Sequence, residues 1–211
     1  MNVAFDQHVT FPPYGGLRCL MMPYAQGDPA SVPDVYAPYA DILRSAVVRR
    51  GDVGYLTIDE SPITAGRPHR GTRATTARAL HTEVGRIPGK IYCWGSGGGS
   101  GGGWGRVHTV TLDGVVEILI ASDLDASCAV WDAEHEDTSL DGDLGHAVDC
   151  YPYDAAVLLK AGDVYRIGIL TPHESLPVAR DGTRAFFRIV GAGVHGREPY
   201  FTRNPLMGDH I

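Results

Sequence analysis

AGDVYRIGILTPHESLPVARDGTRAFFRIVG, residues 161–191, is the stretch on which the fold turns. Gly162 and Asp163 read as a tight turn that opens a strand over 163–170, and Thr171-Pro172 breaks that strand. His173 follows the break, and a turn at Gly182 leads into a further strand that begins at Arg184. In a β-helix of paired antiparallel strands this order brings His173 and Arg184, eleven positions apart, to face one interior.

Working outward, further strand-like runs are separated by Gly, Asp and Pro: VGYLTID (53–59), KIYCW (90–94), VVEILIAS (115–122) and AAVLLK (155–160). Upstream, SVPDVYAPYADILRSAVVRR (31–50) sets Val35, Tyr39, Ile42, Leu43, Ala46 and Val47 at helical spacing, with Ser31 or Asp34 able to cap the start. A helical region followed by many strands predicts a mainly β (α+β) fold, a double-stranded β-helix of jelly-roll or cupin-like form with a flanking N-terminal helix.

The 211 residues suit a single domain over 1–211. A hydrophobic share of 44% and a mean hydropathy of -0.09 are those of a soluble protein, and no apolar run approaches the roughly 18 to 20 residues of a membrane span. The first thirty residues lack a secretory pattern, so the expectation is an intracellular, soluble protein, read as a monomer. Cys19, Cys93, Cys128 and Cys150 form no CxxC pair and read as free thiols. GSGGGSGGG at 95–103 has the composition of a flexible linker; so regular a repeat reads as an engineered replacement for a longer insertion.

A histidine and an arginine converging on one interior suit oxidative iron chemistry with a keto acid. Two histidines and a carboxylate on one face of Fe(II) leave positions for a bidentate 2-oxoglutarate and for O2. The far carboxylate of that cosubstrate needs a fixed cation, and arginine's planar fork supplies two parallel hydrogen bonds. His173 and Arg184 suit these two roles.

The remaining ligands are expected as a His-x-acid pair, because residues two apart on a strand end point to one side. Two pairs qualify: His81 with Glu83, and His135 with Asp137. About four strands must thread between the pair and the distal histidine, which takes roughly 45 residues. His135 is 38 positions before His173 and His81 is 92 before it, so spacing favours His81, Glu83 and His173 as metal ligands. His135 and Asp137 remain the alternative.

The segment around His173 and Arg184 resembles the Fe(II)/2-oxoglutarate dioxygenase superfamily. WDAEHEDTSLDGDLGHAV (131–148) narrows the likeness to the TET and J-binding-protein group of nucleic-acid oxygenases, through Asp132, Glu134, His135, Leu140, Asp141, Gly145, Ala147 and Val148. The likeness spans roughly residues 78–191 in short stretches, and Glu83 stands where that family usually has Asp. The resemblance implies hydroxylation of a C–H bond with decarboxylation of 2-oxoglutarate to succinate. The implied target is the methyl of 5-methylcytosine, or of thymine, in DNA.

Residues 64–90 carry Arg67, Arg70, Arg73, Arg78, Arg86 and Lys90 against the single acid Glu83, a local net charge of +5 in a chain of net -7. Phosphate contacts from such residues supply most non-specific DNA affinity, so Arg67, Arg70, Arg73 and Arg78 are the candidate nucleic-acid contacts. An extruded base would need a stacking surface, for which Tyr92, Trp94, Trp104 and Trp131 are available. Rival readings are the same chemistry on a protein side chain or small metabolite, and a non-catalytic cupin-like binding module. A zinc hydrolase using the acids and histidines of 132–146 is disfavoured, because no HExxH spacing is present.

Overall fold

A computed structural model describes residues 2–68, 78–87, 91–94, 108–112, 116–136, 142–195 and 201–208. Arg70, Arg73, Asp137, Trp104 and the Gly/Ser stretch 95–103 lie outside the described residues. In chain order the strands are β1 (Val3–His8), β2 (Arg18–Ala25), β3 (Val53–Ile63), β4 (Val84–Ile87), β5 (Ile91–Trp94), β6 (His108–Leu112) and β7 (Glu117–Ser122). There follow β8 (Cys128–Val130), β9 (Val157–Leu158), β10 (Asp163–Gly168), β11 (His173–Ser175), β12 (Gly182–Val190) and β13 (Val194–His195).

The chain is mainly β and its named strand pairs are antiparallel. A large sheet runs β1-β10-β7-β12-β3-β2, and two smaller ones run β11-β8-β9 and β13-β6-β5-β4. These sheets do not close into one barrel among the described residues. Among the described residues no helix is long and apolar enough to cross a membrane.

Period-2 alternation makes the large sheet apolar on both faces. On one face Leu56 and Ile58 of β3, Leu119 and Ala121 of β7, and Phe187 and Ile189 of β12 pack against Tyr36, Tyr39, Ile42 and Leu43. Burying a side chain the size of Phe187 stabilises by about 1.5–3 kcal/mol. On the other face Tyr55, Ile118, Ile120 and Val190 meet Cys128 and Val130 of β8 and Val84 of β4. That second face, between the large sheet and β8–β11, is the interior where the polar residues of the site lie.

The helix predicted over 31–50 is shorter than its apolar spacing suggests. A 3-10 segment covers Asp34–Tyr39 and a single α-helix, α1, covers only Ala40–Ser45. Pro38 lies inside the first segment, and a residue that lacks an N–H and crowds its predecessor does not support a continuous α-helix there. Neither Ser31 nor Asp34 caps it: Ser31 Oγ accepts from the Ala25 N–H, while Asp28 caps the short turn before.

Candidate metal centre

His81, Glu83 and His173 come together with one ligand atom from each, all within 4.8 Å of one another, and all three side chains are buried. The backbone brings this about. His81 and His173 form an isolated antiparallel bridge in which His81 N–H donates to His173 O at 3.0 Å and His173 N–H donates to His81 O at 2.9 Å. Glu83 N–H donates to Ile169 O at 3.0 Å, so the extended segment 81–83 runs along the turn that leads into β11. Residues two apart point the same way, which sets His81 and Glu83 on one side and Thr82 on the other.

Thr82 faces the 142–144 loop. Its N–H donates to Gly142 O at 2.8 Å, and Leu144 N–H donates to Leu80 O at 3.0 Å. A Cβ at Gly142 would sit 2.3 Å from Thr82 O, and the residue has φ +69, so only glycine fits this approach. The segment carrying two of the three candidate ligands is thus held from both edges.

The imidazoles are oriented alike. His81 Nδ1 lies 2.7 Å from Ala79 O, and His173 Nδ1 lies 2.9 Å from Thr171 O. A carbonyl only accepts, so each Nδ1 carries a proton, and in the neutral imidazole the lone pair is then on Nε2. His173 Nε2 stands 3.4 Å from Glu83 Oε1. Two imidazole lone pairs and a carboxylate this close repel one another unless a cation or protons lie between them.

Glu83 is ionised in spite of its position. Burial alone would raise its carboxyl, but the Arg188 guanidinium beside it outweighs burial and holds it well below the usual carboxylate range. Arg188 Nη1 donates to Glu83 Oε1 at 2.5 Å and its Nη2 donates to Thr57 Oγ1 at 3.3 Å. Sequence reasoning missed Arg188, yet alternation in TRAFFRIV places it on the same face of β12 as Arg184.

Arg184 is itself buried at 3% exposure. Its Nε donates to Ser122 Oγ at 3.0 Å and its Nη1 to Ser175 Oγ at 3.3 Å, and the guanidinium lies 5.1 Å from the Phe186 ring centre. Ser175 is two residues after His173 on β11, so Arg184 reaches the strand face that carries His173. Burial lowers the Arg184 pKa, with nearby Cys128, Asp59 and Asp123 acting the other way. Sequence reasoning missed both serines, although the spacing of Ser175 from His173 was a usable signal.

The donor set suits a metal ion. Two imidazole nitrogens and one carboxylate oxygen can hold a divalent transition metal, and a face of two histidines and one carboxylate is the arrangement typical of non-haem Fe(II). A buried guanidinium flanked by two hydroxyls in the same interior suits a carboxylate ligand.

The other candidates fall elsewhere. His135 is half-buried, its Nδ1 2.6 Å from Tyr151 Oη and its ring 6.5 Å from that of His146. Arg67 is exposed. The Arg78 side chain is 18% exposed and is engaged in an ion pair with buried Glu174. Trp131 is buried at 3% exposure with Nε1 donating to Pro152 O, so it presents no stacking face to a base.

No family profile and no curated protein matches the chain. Among solved structures it is similar to one titled "Crystal Structure of EvdMO1", at 14% identity and a TM-score of 0.36. That likeness covers 75% of this chain but 30% of the other, and at this level it carries no argument about what the chain does.

Proposed function

We propose that the chain is an Fe(II)- and 2-oxoglutarate-dependent dioxygenase that hydroxylates a C–H bond, built on a double-stranded β-helix. The observation that supports it is the convergence of Glu83 with two imidazoles, each held at Nδ1 by a backbone carbonyl. Such carbonyl partners fix the tautomer and raise the basicity of a ligating histidine. His81, Glu83 and His173 would hold the iron, and Arg184 with the Ser122 and Ser175 hydroxyls would hold the far carboxylate of 2-oxoglutarate. Bound together, iron and cosubstrate would supply oxidative hydroxylation, with O2 consumed and 2-oxoglutarate decarboxylated to succinate.

The chain's own residues prepare for that chemistry. Arg188 keeps Glu83 charged and fixes one of its oxygens. Burial of the site limits the access of water. The substrate we propose is the methyl of 5-methylcytosine in DNA, supported by the resemblance of residues 131–148 to nucleic-acid oxygenases and by the basic composition of 64–90.

The test is succinate formation from 2-oxoglutarate with anaerobically loaded Fe(II) and then O2, in the presence of methylated duplex, unmethylated duplex, a peptide mixture or nothing. Turnover stimulated by methylated duplex supports the full reading. Stimulation by peptide alone supports the chemistry with a different substrate, and no iron-dependent succinate under any condition overturns the proposal.

A further inference from the structure

On the reverse side of the site, Glu174 lies between His173 and Ser175 on β11 with its carboxylate 2% exposed. Each of its oxygens is used twice. Oε2 accepts from Arg78 Nε at 2.9 Å and lies 2.7 Å from Arg78 Nη2. Oε1 accepts from the Ala79 N–H at 3.1 Å and from Tyr153 Oη at 3.1 Å.

Ala79 is the link to the imidazole opposite. Its amide is held by Glu174, and its carbonyl accepts the Nδ1 proton of His81. Arg78 is fixed at its other edge, where Nη1 donates to Val148 O and Tyr151 O, each at 3.0 Å. Its guanidinium also lies 4.3 Å from the Tyr153 ring centre and 5.3 Å from that of Trp131. The Trp131 backbone N–H in turn donates to Pro172 O, of the residue before His173.

We infer that the buried Arg78–Glu174 pair is a positioning device for the metal centre, clamping the segment that carries His81 to the strand that carries His173. This rests on the proposed metal site. A buried ion pair is weak grounds for a stability role, because desolvation offsets the attraction. A role in orienting a neighbouring ligand explains why so many partners converge on Glu174. Residues that orient metal ligands typically change affinity by 10- to 100-fold when altered.

The test uses Co(II) alone as a spectroscopic probe with the full chain. The unaltered protein is expected to bind one equivalent with a d–d absorption band, and His173→Ala is expected to lose it. Arg78→Met and Glu174→Gln are each expected to weaken Co(II) binding at least about tenfold and to change the band's intensity or position. The double variant R78M/E174Q should lose no more than the worse single one, because the two act as a unit. Phe187→Leu, on the far face of the large sheet, serves as a control of lowered stability and should leave Co(II) affinity unchanged.

If Arg78→Met does not fold, Arg78→Lys is read in its place, since it keeps the charge but cannot straddle Oε2 with two N–H groups. Unchanged affinity and spectrum in the folded Arg78 and Glu174 variants overturn the inference while leaving the metal site standing. Equal weakening in Phe187→Leu also overturns it, by reducing the effect to general destabilisation. No Co(II) binding by the unaltered protein overturns the metal reading and this inference together.

Discussion

His81 and His173 sit directly opposite one another, each donating its N–H to the other's carbonyl at 3.0 and 2.9 Å, with ring centres 4.0 Å apart. Their separation is therefore set by backbone register and not by side-chain packing. A slip of one residue on either side would turn one imidazole to the opposite face. Because the pair is joined through main-chain atoms, either ring can be removed without breaking the bridge, and that makes single-histidine variants informative.

His81→Ala and His173→Ala are expected to fold and to bind Co(II) or Fe(II) on the order of 100-fold more weakly than the unaltered chain, or not at all, since each removes one of three ligands. Equilibrium titration checks this. Retention of full affinity in either variant would count against His81, Glu83 and His173 as the ligand set.

Bound metal should stabilise the fold. At a free concentration one hundred times its dissociation constant, a ligand that binds only the native state adds about 2.7 kcal/mol. For a domain of this size that corresponds to a rise of about 5–11 °C in Tm. Calorimetry with and without metal reads the effect, and it should vanish in His173→Ala.

Arg184→Met should leave metal binding largely intact and weaken 2-oxoglutarate. Charge-assisted hydrogen bonds contribute about 1.5–3 kcal/mol each, so the KM for 2-oxoglutarate should rise roughly 10- to 150-fold. An unchanged KM, with metal affinity also unchanged, would remove Arg184 from the cosubstrate site. Ser122→Ala and Ser175→Ala should give smaller changes of the same sign.

Much of this arrangement is readable in the chain, and the unread part has physical causes. The β10, turn, His173, turn, β12 order is local, so Gly, Pro and alternation mark it clearly. β3 and β7 are long enough for their apolar content to show. β8 and β11 have three residues each, too few for a period of two to be distinguished from chance, and their pairing depends on a partner far away in sequence. The His81–His173 bridge spans 92 positions, so spacing could only make the two histidines compatible and could not bring them together. Arg78 reads as one of a basic cluster because Glu174, its partner, is 96 positions away. Apolar spacing overextends the helix over 31–50, because the backbone constraint at Pro38 decides the local geometry.

Gly142→Ala tests the support of the ligand segment. The added methyl would lie 2.3 Å from Thr82 O, at a backbone φ of +69 that a residue with a Cβ adopts at a cost of about 1–2 kcal/mol. The loop must move to relieve the clash, taking the Thr82 N–H and Leu144 N–H contacts with it. We expect Tm to fall and metal affinity to fall with it. A variant with normal metal affinity would show that the 142–144 loop does not help place His81 and Glu83.

Alkaline pH should destabilise the protein through Cys19. Burial, partly offset by hydrogen bonds, pushes its thiol up to about 12. The unfolded chain loses this proton near pH ~8.5 while the native state keeps it, so over the window from about 8.5 to 12 the native state binds more protons. Stability then falls as pH rises, by up to about 1.4 kcal/mol per pH unit from this one group. Urea unfolding at about pH 8 and pH 10 measures the slope, and Cys19→Ala should reduce it by about that amount. Below pH ~8.5 the thiol is protonated in both states and contributes no slope. In the same pH range the exposed Cys150 should be alkylated readily by iodoacetamide, while Cys19 should react only as the protein unfolds. Prompt labelling of Cys19 in the native state at about pH 8 would contradict its burial beneath Leu56 and Tyr36.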